Sequence, residues 1–169
     1  LYTDETLTAA TFPYQGDELS MTVYLPHEDI ELSELEESLT AEKIEDIRLN
    51  GFEREVSTHM PKFEIRSNTN LNQPLIKLGM SSLFDPYEAD LSGISTQSQL
   101  FVSVVIHEAW VKVDESGTEA AAATAVVASD ASVSIPEFVT IDRAFMFTIE
   151  DTLSGSILFM GRVADPTAE

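Results

Sequence analysis

An α+β fold in which strands dominate is predicted from three features of the sequence. Residues 18–26 alternate apolar and mostly polar side chains with the two-residue period of a half-buried strand. Residues 99–113 form a long β-branched run that is largely apolar on both faces, the pattern of a strand inside a large sheet. Two more strand-length runs, 144–149 and 156–163, flank a turn at Leu153, Ser154 and Gly155.

The elements follow in chain order. Pro26 lacks an amide donor and closes the strand over 18–26. Ser33 and Glu36 have capping-box spacing, with Leu32, Leu35 and Leu39 on one helical face. Thr40 is placed to cap a second helix carrying Ile44 and Ile47. Over 52–60, Phe52, Val56 and Met60 share a strand face with Arg54 and Thr58, and Phe63 and Ile65 resume a strand beyond Pro61. Residues 71–78 read as a helix, with Pro74 in its first turn and Gly79 ending it in the left-handed conformation. Trp110 and Phe101, large aromatics on the long strand, are expected to fill core. No internal repeat is present.

Composition narrows the function classes. With 169 residues, 43% of them hydrophobic, the chain suffices for one globular core. The apolar runs at 102–106 and 157–160 fall far below the roughly 20 residues a membrane-spanning helix needs. Thirty acidic residues against 9 basic ones give a net charge of -21, which repels phosphate backbones and anionic lipid, so neither nucleic acid nor membrane is an expected partner. Cysteine is absent, which excludes disulfides, thiolate nucleophiles and zinc-thiolate sites. No secretory signal precedes Leu1, and the ending lacks an ER-retention tetrapeptide; secretion is the expectation, with the cytoplasm as the alternative.

After the long strand comes Glu115-Ser116-Gly117-Thr118-Glu119-Ala120-Ala121-Ala122-Ala123-Thr124. An alanine run alone reads as helix or linker. With its flanks, the segment resembles the hinge of the serpin reactive-centre loop. Upstream, Pro61-Lys62-Phe63, Leu78-Gly79-Met80, Phe84-Asp85-Pro86 and Ala89-Asp90-Leu91-Ser92-Gly93-Ile94 are similar to successive serpin motifs in the family's order. Downstream, 155–163 and Asp165-Pro166 are similar to its C-terminal strand pair. The resemblance runs through essentially the whole chain and covers somewhat under half of a typical serpin domain. It implies a serpin fold, here its mainly β C-terminal part over 1–169, with the reactive loop at 115–135 and its hinge at 117–124. The chain departs from the family at Val104 and Glu108, where lysines are usual, and at Arg143 and Ala144, where a His-Pro pair is usual.

The resemblance also implies a mechanism, inhibition of a serine protease by suicide cleavage followed by insertion of the loop into the main sheet. The hinge residues suit it. Gly117 lets the backbone turn, uncharged Thr118 is buried without an ion's desolvation cost, and Ala120, Ala121, Ala122 and Ala123 are small enough to pass between packed strands. Glu115 resembles the family glutamate that pairs with a lysine of a neighbouring strand. Counting forward from Gly117 at the usual loop length places the cleaved bond at Ala131–Ser132, and counting back from Phe145 places it at Val133–Ser134. Either puts a small aliphatic residue before a serine, and no Lys or Arg stands between Gly117 and Asp142, so an elastase-like target is expected rather than a trypsin-like one.

The alternative is a non-inhibitory serpin acting as carrier, chaperone or storage protein. A third reading is a fragment whose loop strand adds to another copy's sheet. Enzymatic activity is not expected, because His27, His59 and His107 stand in no motif that supplies a nucleophile, a base and an orienting carboxylate. His107, at the position of a family histidine, is expected to be a satisfied core residue. No phosphate-cradling loop, calcium loop or metal cluster is present, so no cofactor or metal is implied. The expected partner is a serine protease held in a covalent acyl-enzyme complex, and the full-length protein is expected to be a monomer. No basic patch for heparin occurs in this part.

Overall fold

The computed structural model describes residues 1–114 and 137–166. These separate into two compact units, one built from Leu1–Phe63 with the residues after Lys112, the other from Glu64–Lys112.

The first unit is built on a five-stranded sheet of order β1-β2-β3-β8-β9. It comprises β1 (Tyr2–Thr3), β2 (Leu7–Pro13), β3 (Leu19–Pro26), β8 (Phe145–Asp151) and β9 (Ile157–Val163), every pairing antiparallel. The strands over 18–26, 144–149 and 156–163 thus form within a few residues of their expected bounds, and Gly155 takes a φ of +70° in the turn between the last two. In β3 the polar face is buried as well as the apolar one. Two of its hydroxyls have cross-strand partners: Thr22 Oγ1 lies 3.0 Å from Thr11 Oγ1, and Tyr24 Oη lies 3.1 Å from Thr148 Oγ1.

Helices α1 (Leu32–Ser38) and α2 (Ala41–Asn50) lay Leu35, Leu39 and Ile47 against Leu7, Ala9, Tyr24 and Met146. The Thr40 hydroxyl caps α2, accepting the Lys43 N–H at 3.3 Å. Ser33 does not cap α1. The helix starts two residues earlier, with extended Glu31 at the cap and Leu32 packed on the core cluster. On the opposite face of the sheet, Phe63 meets the rings of Phe145 and Phe147 at centroid distances of 5.6 and 5.5 Å. Strand β4 (Val56–His59) pairs in parallel with β7 (Glu137–Thr140), and Phe52 lies outside it, 70% exposed. Among the described residues, β4 and β7 pair over four residues each.

In the second unit, β5 (Phe63–Asn70) pairs with β6 (Ile106–Val113), and α3 (Asn72–Lys77) ends at Gly79 with a φ of +97°, as its spacing implies. Strand β6 starts seven residues later than the apolar run. The backbone ahead of it is engaged elsewhere: Val105 N–H donates to Asn72 Oδ1 at 2.8 Å, Val105 O accepts from Leu71, and Val102 N–H reaches Leu83 O at 3.0 Å, in the 3-10 turn over Ser81–Phe84. Among the described residues no helix is long and apolar enough to cross a membrane.

Candidate functional site

The loop implied by the resemblance leaves β6 after Asp114 and rejoins the described chain at β7. All its named residues lie outside the described residues: Glu115, Gly117, Thr118, Glu119, Ala120, Ala121, Ala122 and Ala123 of the hinge, and Ala131, Ser132, Val133 and Ser134 of the two candidate bonds. The strands that carry its two ends are described, each within its own unit.

On the upstream side, β5 and β6 present a charged aromatic constellation that spacing alone did not reveal. The indole N–H of Trp110 donates to Glu64 Oε1 at 3.1 Å, and the Arg66 Nε–H donates to the same oxygen at 2.9 Å. The Arg66 guanidinium lies 5.6 Å from the Trp110 ring centroid. Hydrogen bonding from Trp110, then from Arg66, lowers the Glu64 carboxyl below its ordinary value. Two residues away in each strand, Asn68 Nδ2 donates to Glu108 Oε1 at 2.6 Å, so the carboxylate that replaces a family lysine serves as a cross-strand acceptor. Expected to fill core, Trp110 is 56% and Phe101 46% exposed here, so the residues of this chain by themselves do not cover them. His107, expected to be a satisfied core residue, is likewise left exposed by the residues of this chain.

On the downstream side the exit strand β7 has a modest hold. Val139 is buried, Ile141 is almost fully so, and the Ile141 N–H donates to His59 O at 2.8 Å. Arg54 Nη1 reaches Glu137 Oε2 at 2.9 Å on an exposed face, where a pair contributes little. Arg143, which departs from the family, donates from Nε to Pro26 O at 3.1 Å and faces Glu28 and Asp142 at 3.6 and 3.5 Å. It thereby ties the segment between β7 and β8 to the end of β3. Arg143 in its local sequence gave no hint of that carbonyl, which β3 delivers from far away in the chain.

No group of three or more His, Asp or Glu stands together as a metal site among the described residues.

Comparison with known proteins completes the picture. The family model described as "Serpin (serine protease inhibitor)" matches residues 1–166. Human leukocyte elastase inhibitor is 43% identical over 161 residues, which is 91% of this chain and 42% of that protein. Plasminogen activator inhibitor 1 of Neovison vison is 39% identical over 155 residues, 91% of this chain and 38% of that protein. The crystal structure of the thermophilic serpin tengpin in its native state superposes with a TM-score of 0.80 at 31% identity, covering 96% of this chain and 43% of that one. The chain thus spans about two-fifths of the length of the curated relatives it matches. With the strand order, the motifs and the family match in agreement, the chain belongs to the serpin family.

Proposed function

We propose that the protein whose C-terminal serpin portion this chain represents inhibits an elastase-like serine protease by suicide cleavage and loop insertion. The observation that carries the reading is 43% identity to human leukocyte elastase inhibitor, across a chain whose loop has no Lys or Arg between Gly117 and Asp142. A trypsin-like pocket requires a cation before the cleaved bond, whereas a small pocket takes Ala131 or Val133.

In this reading the protease serine attacks the carbonyl carbon of Ala131 or Val133. The peptide bond to Ser132 or Ser134 breaks, the new amine leaves with a proton from the protease histidine, and the loop stays joined to the protease as an ester. The freed hinge then adds as a strand beside β6, which pairs only with β5 among the described residues. The small side chains of Ala120, Ala121, Ala122 and Ala123 let the strand enter a packed sheet, and insertion releases the strain that made the native state a kinetic trap.

The test is incubation of the native full-length protein with pancreatic elastase, followed by denaturing electrophoresis and mass spectrometry of the released peptide. A complex that survives denaturant, with a peptide beginning at Ser132 or Ser134, is expected. Clean cleavage of demonstrably native protein without a complex would overturn inhibition in favour of a carrier, chaperone or storage role.

A further inference from the structure

Asn50 is the last residue of α2, and Gly51 follows it as the C-cap. The two form the single Asn-Gly pair of the sequence; Asn68, Asn70 and Asn72 precede Thr69, Leu71 and Gln73. The amide carbon of an asparagine side chain can be attacked by the backbone nitrogen of the next residue, and a glycine, lacking a Cβ, leaves that nitrogen unshielded. Gly51 is not required here for a left-handed turn, since its φ of -68° and ψ of 142° are open to any residue. Both residues are exposed.

Two hydrogen bonds keep the reacting groups engaged elsewhere. The Gly51 N–H donates to Ile47 O at 3.0 Å and closes the last turn of α2, which occupies the nucleophile. Asn50 Nδ2 donates to Asp46 Oδ1 at 2.7 Å, which occupies the leaving group. Asp46 is held in turn by Tyr2, whose hydroxyl donates to Oδ2 at 3.0 Å. Both restraints sit on exposed residues at a helix end, the part of a helix that opens at least cost. Opening that turn frees nucleophile and amide together.

We propose that Asn50 is a site of spontaneous deamidation, gated by fraying of the last turn of α2. In the open turn the Gly51 nitrogen bonds to Asn50 Cγ and gives up its proton, and Nδ2 departs as ammonia, leaving a cyclic imide across positions 50 and 51. Water then adds to one imide carbonyl and breaks its bond to nitrogen. The net change is amide plus water to carboxylic acid plus ammonia, with the chain continuing through either the α- or the side-chain carbonyl. The product does not restore the turn. A donor to Asp46 has become a second carboxylate at i,i+4 spacing, at the negative end of the helix dipole. Arg48, the base of that turn, is engaged with Glu45 at 2.5 Å.

The test is long incubation of the native full-length protein beside a urea-unfolded sample, with peptide mass spectrometry at intervals. Amide loss should appear at Asn50 before Asn68, Asn70 or Asn72, and more slowly in the native protein than in urea. Asp46→Ala removes the acceptor, so it should speed the native reaction several-fold and leave the rate in urea unchanged. Gly51→Ala should slow the reaction in both states. Asn50→Asp, which carries the product's charge, should lower hydrogen-exchange protection of the Gly51 amide several-fold. An intact Asn50 in native protein after the unfolded sample has converted would overturn the proposal, as would equal native rates with and without Asp46.

Discussion

The ring of Phe147 on β8 occupies the space that a side chain on Gly161 of β9 would need. The two residues are register partners, and a methyl group at Gly161 would stand 2.7 Å from Phe147 Cζ and 2.8 Å from Cε1. Phe147 cannot retreat freely, because its ring packs against Phe63. Gly161→Ala should therefore destabilise the fold by about 1–3 kcal/mol, read as a lower urea midpoint with an unchanged slope. A neutral result would mean that the ring moves aside at little cost.

Tyr24 and Thr148 form a buried hydroxyl pair that also serves Glu150, whose Oε1 accepts from Thr148 at 2.5 Å and from Tyr24 at 3.4 Å. Thr148→Val leaves Tyr24 with only the longer of these bonds and should cost about 1–2 kcal/mol in chemical denaturation. Burial first, and the neighbouring Glu150 charge with it, push the Tyr24 phenol up to about 12. A folded value above the unfolded one means that the contribution is whole below the ordinary tyrosine value of 10.0 and is lost as pH climbs through about 12. Ultraviolet absorbance titration should show a late phenolate step that disappears in Tyr24→Phe.

Asp4 behaves in the opposite sense. Its partial burial would raise the carboxyl, but the Lys43 ammonium and the amide N–H groups of Thr6 and Leu7, at 2.7 and 3.0 Å from Oδ1, outweigh that and hold it well below the usual carboxylate range. The contribution is present above the ordinary aspartate value and is lost as pH falls through the depressed one. Asp4→Asn should lower stability by about 1–2 kcal/mol at neutral pH. It should also flatten the acid limb of a plot of thermal midpoint against pH. An unaltered acid limb would remove Asp4 from the explanation.

Trp110 reports on Glu64, since the indole N–H donates to that carboxylate. Trp110 is the single tryptophan of this chain, and the difference in emission between the protein and its Trp110→Phe variant isolates it. Emission should change as acid protonates Glu64, with a midpoint below the ordinary glutamate value, and should be indifferent to pH in that range in Glu64→Gln. Identical titrations of the two proteins would show that the hydrogen bond does not persist in solution.

The proposed inhibition makes target choice depend on one residue. Replacing Ala131 or Val133 by Arg should move stable complex formation from elastase to trypsin at whichever position precedes the cleaved bond, with a change of roughly a hundredfold or more in relative rate. If neither substitution shifts preference, target choice lies outside these two positions.

Alternation and turn residues made β3, β8 and β9 legible, because a strand buried in a sheet shows its period locally. Thr40 and Gly79 were legible for the same reason, since a cap and a left-handed stop act on the few residues beside them. β2 and β7 were not among the strands expected from the sequence. β7 becomes a strand because β4 supplies its hydrogen-bonding partner from a distant part of the chain.

Family membership and the small, uncharged character of Gly117, Thr118, Ala120, Ala121, Ala122 and Ala123 could be read from the sequence by itself, since both are matters of residue type and order. The tertiary structure alone decided which polar groups meet: Tyr24 with Thr148, Trp110 with Glu64, Arg143 with the Pro26 carbonyl, and Phe147 over Gly161. It also decided where the long apolar run becomes a strand, because Val102 and Val105 direct their amides to Leu83 and Asn72 instead of a ladder. The physical reason is that hydrogen bonds and close contacts depend on distances across the fold, which spacing along one chain does not encode.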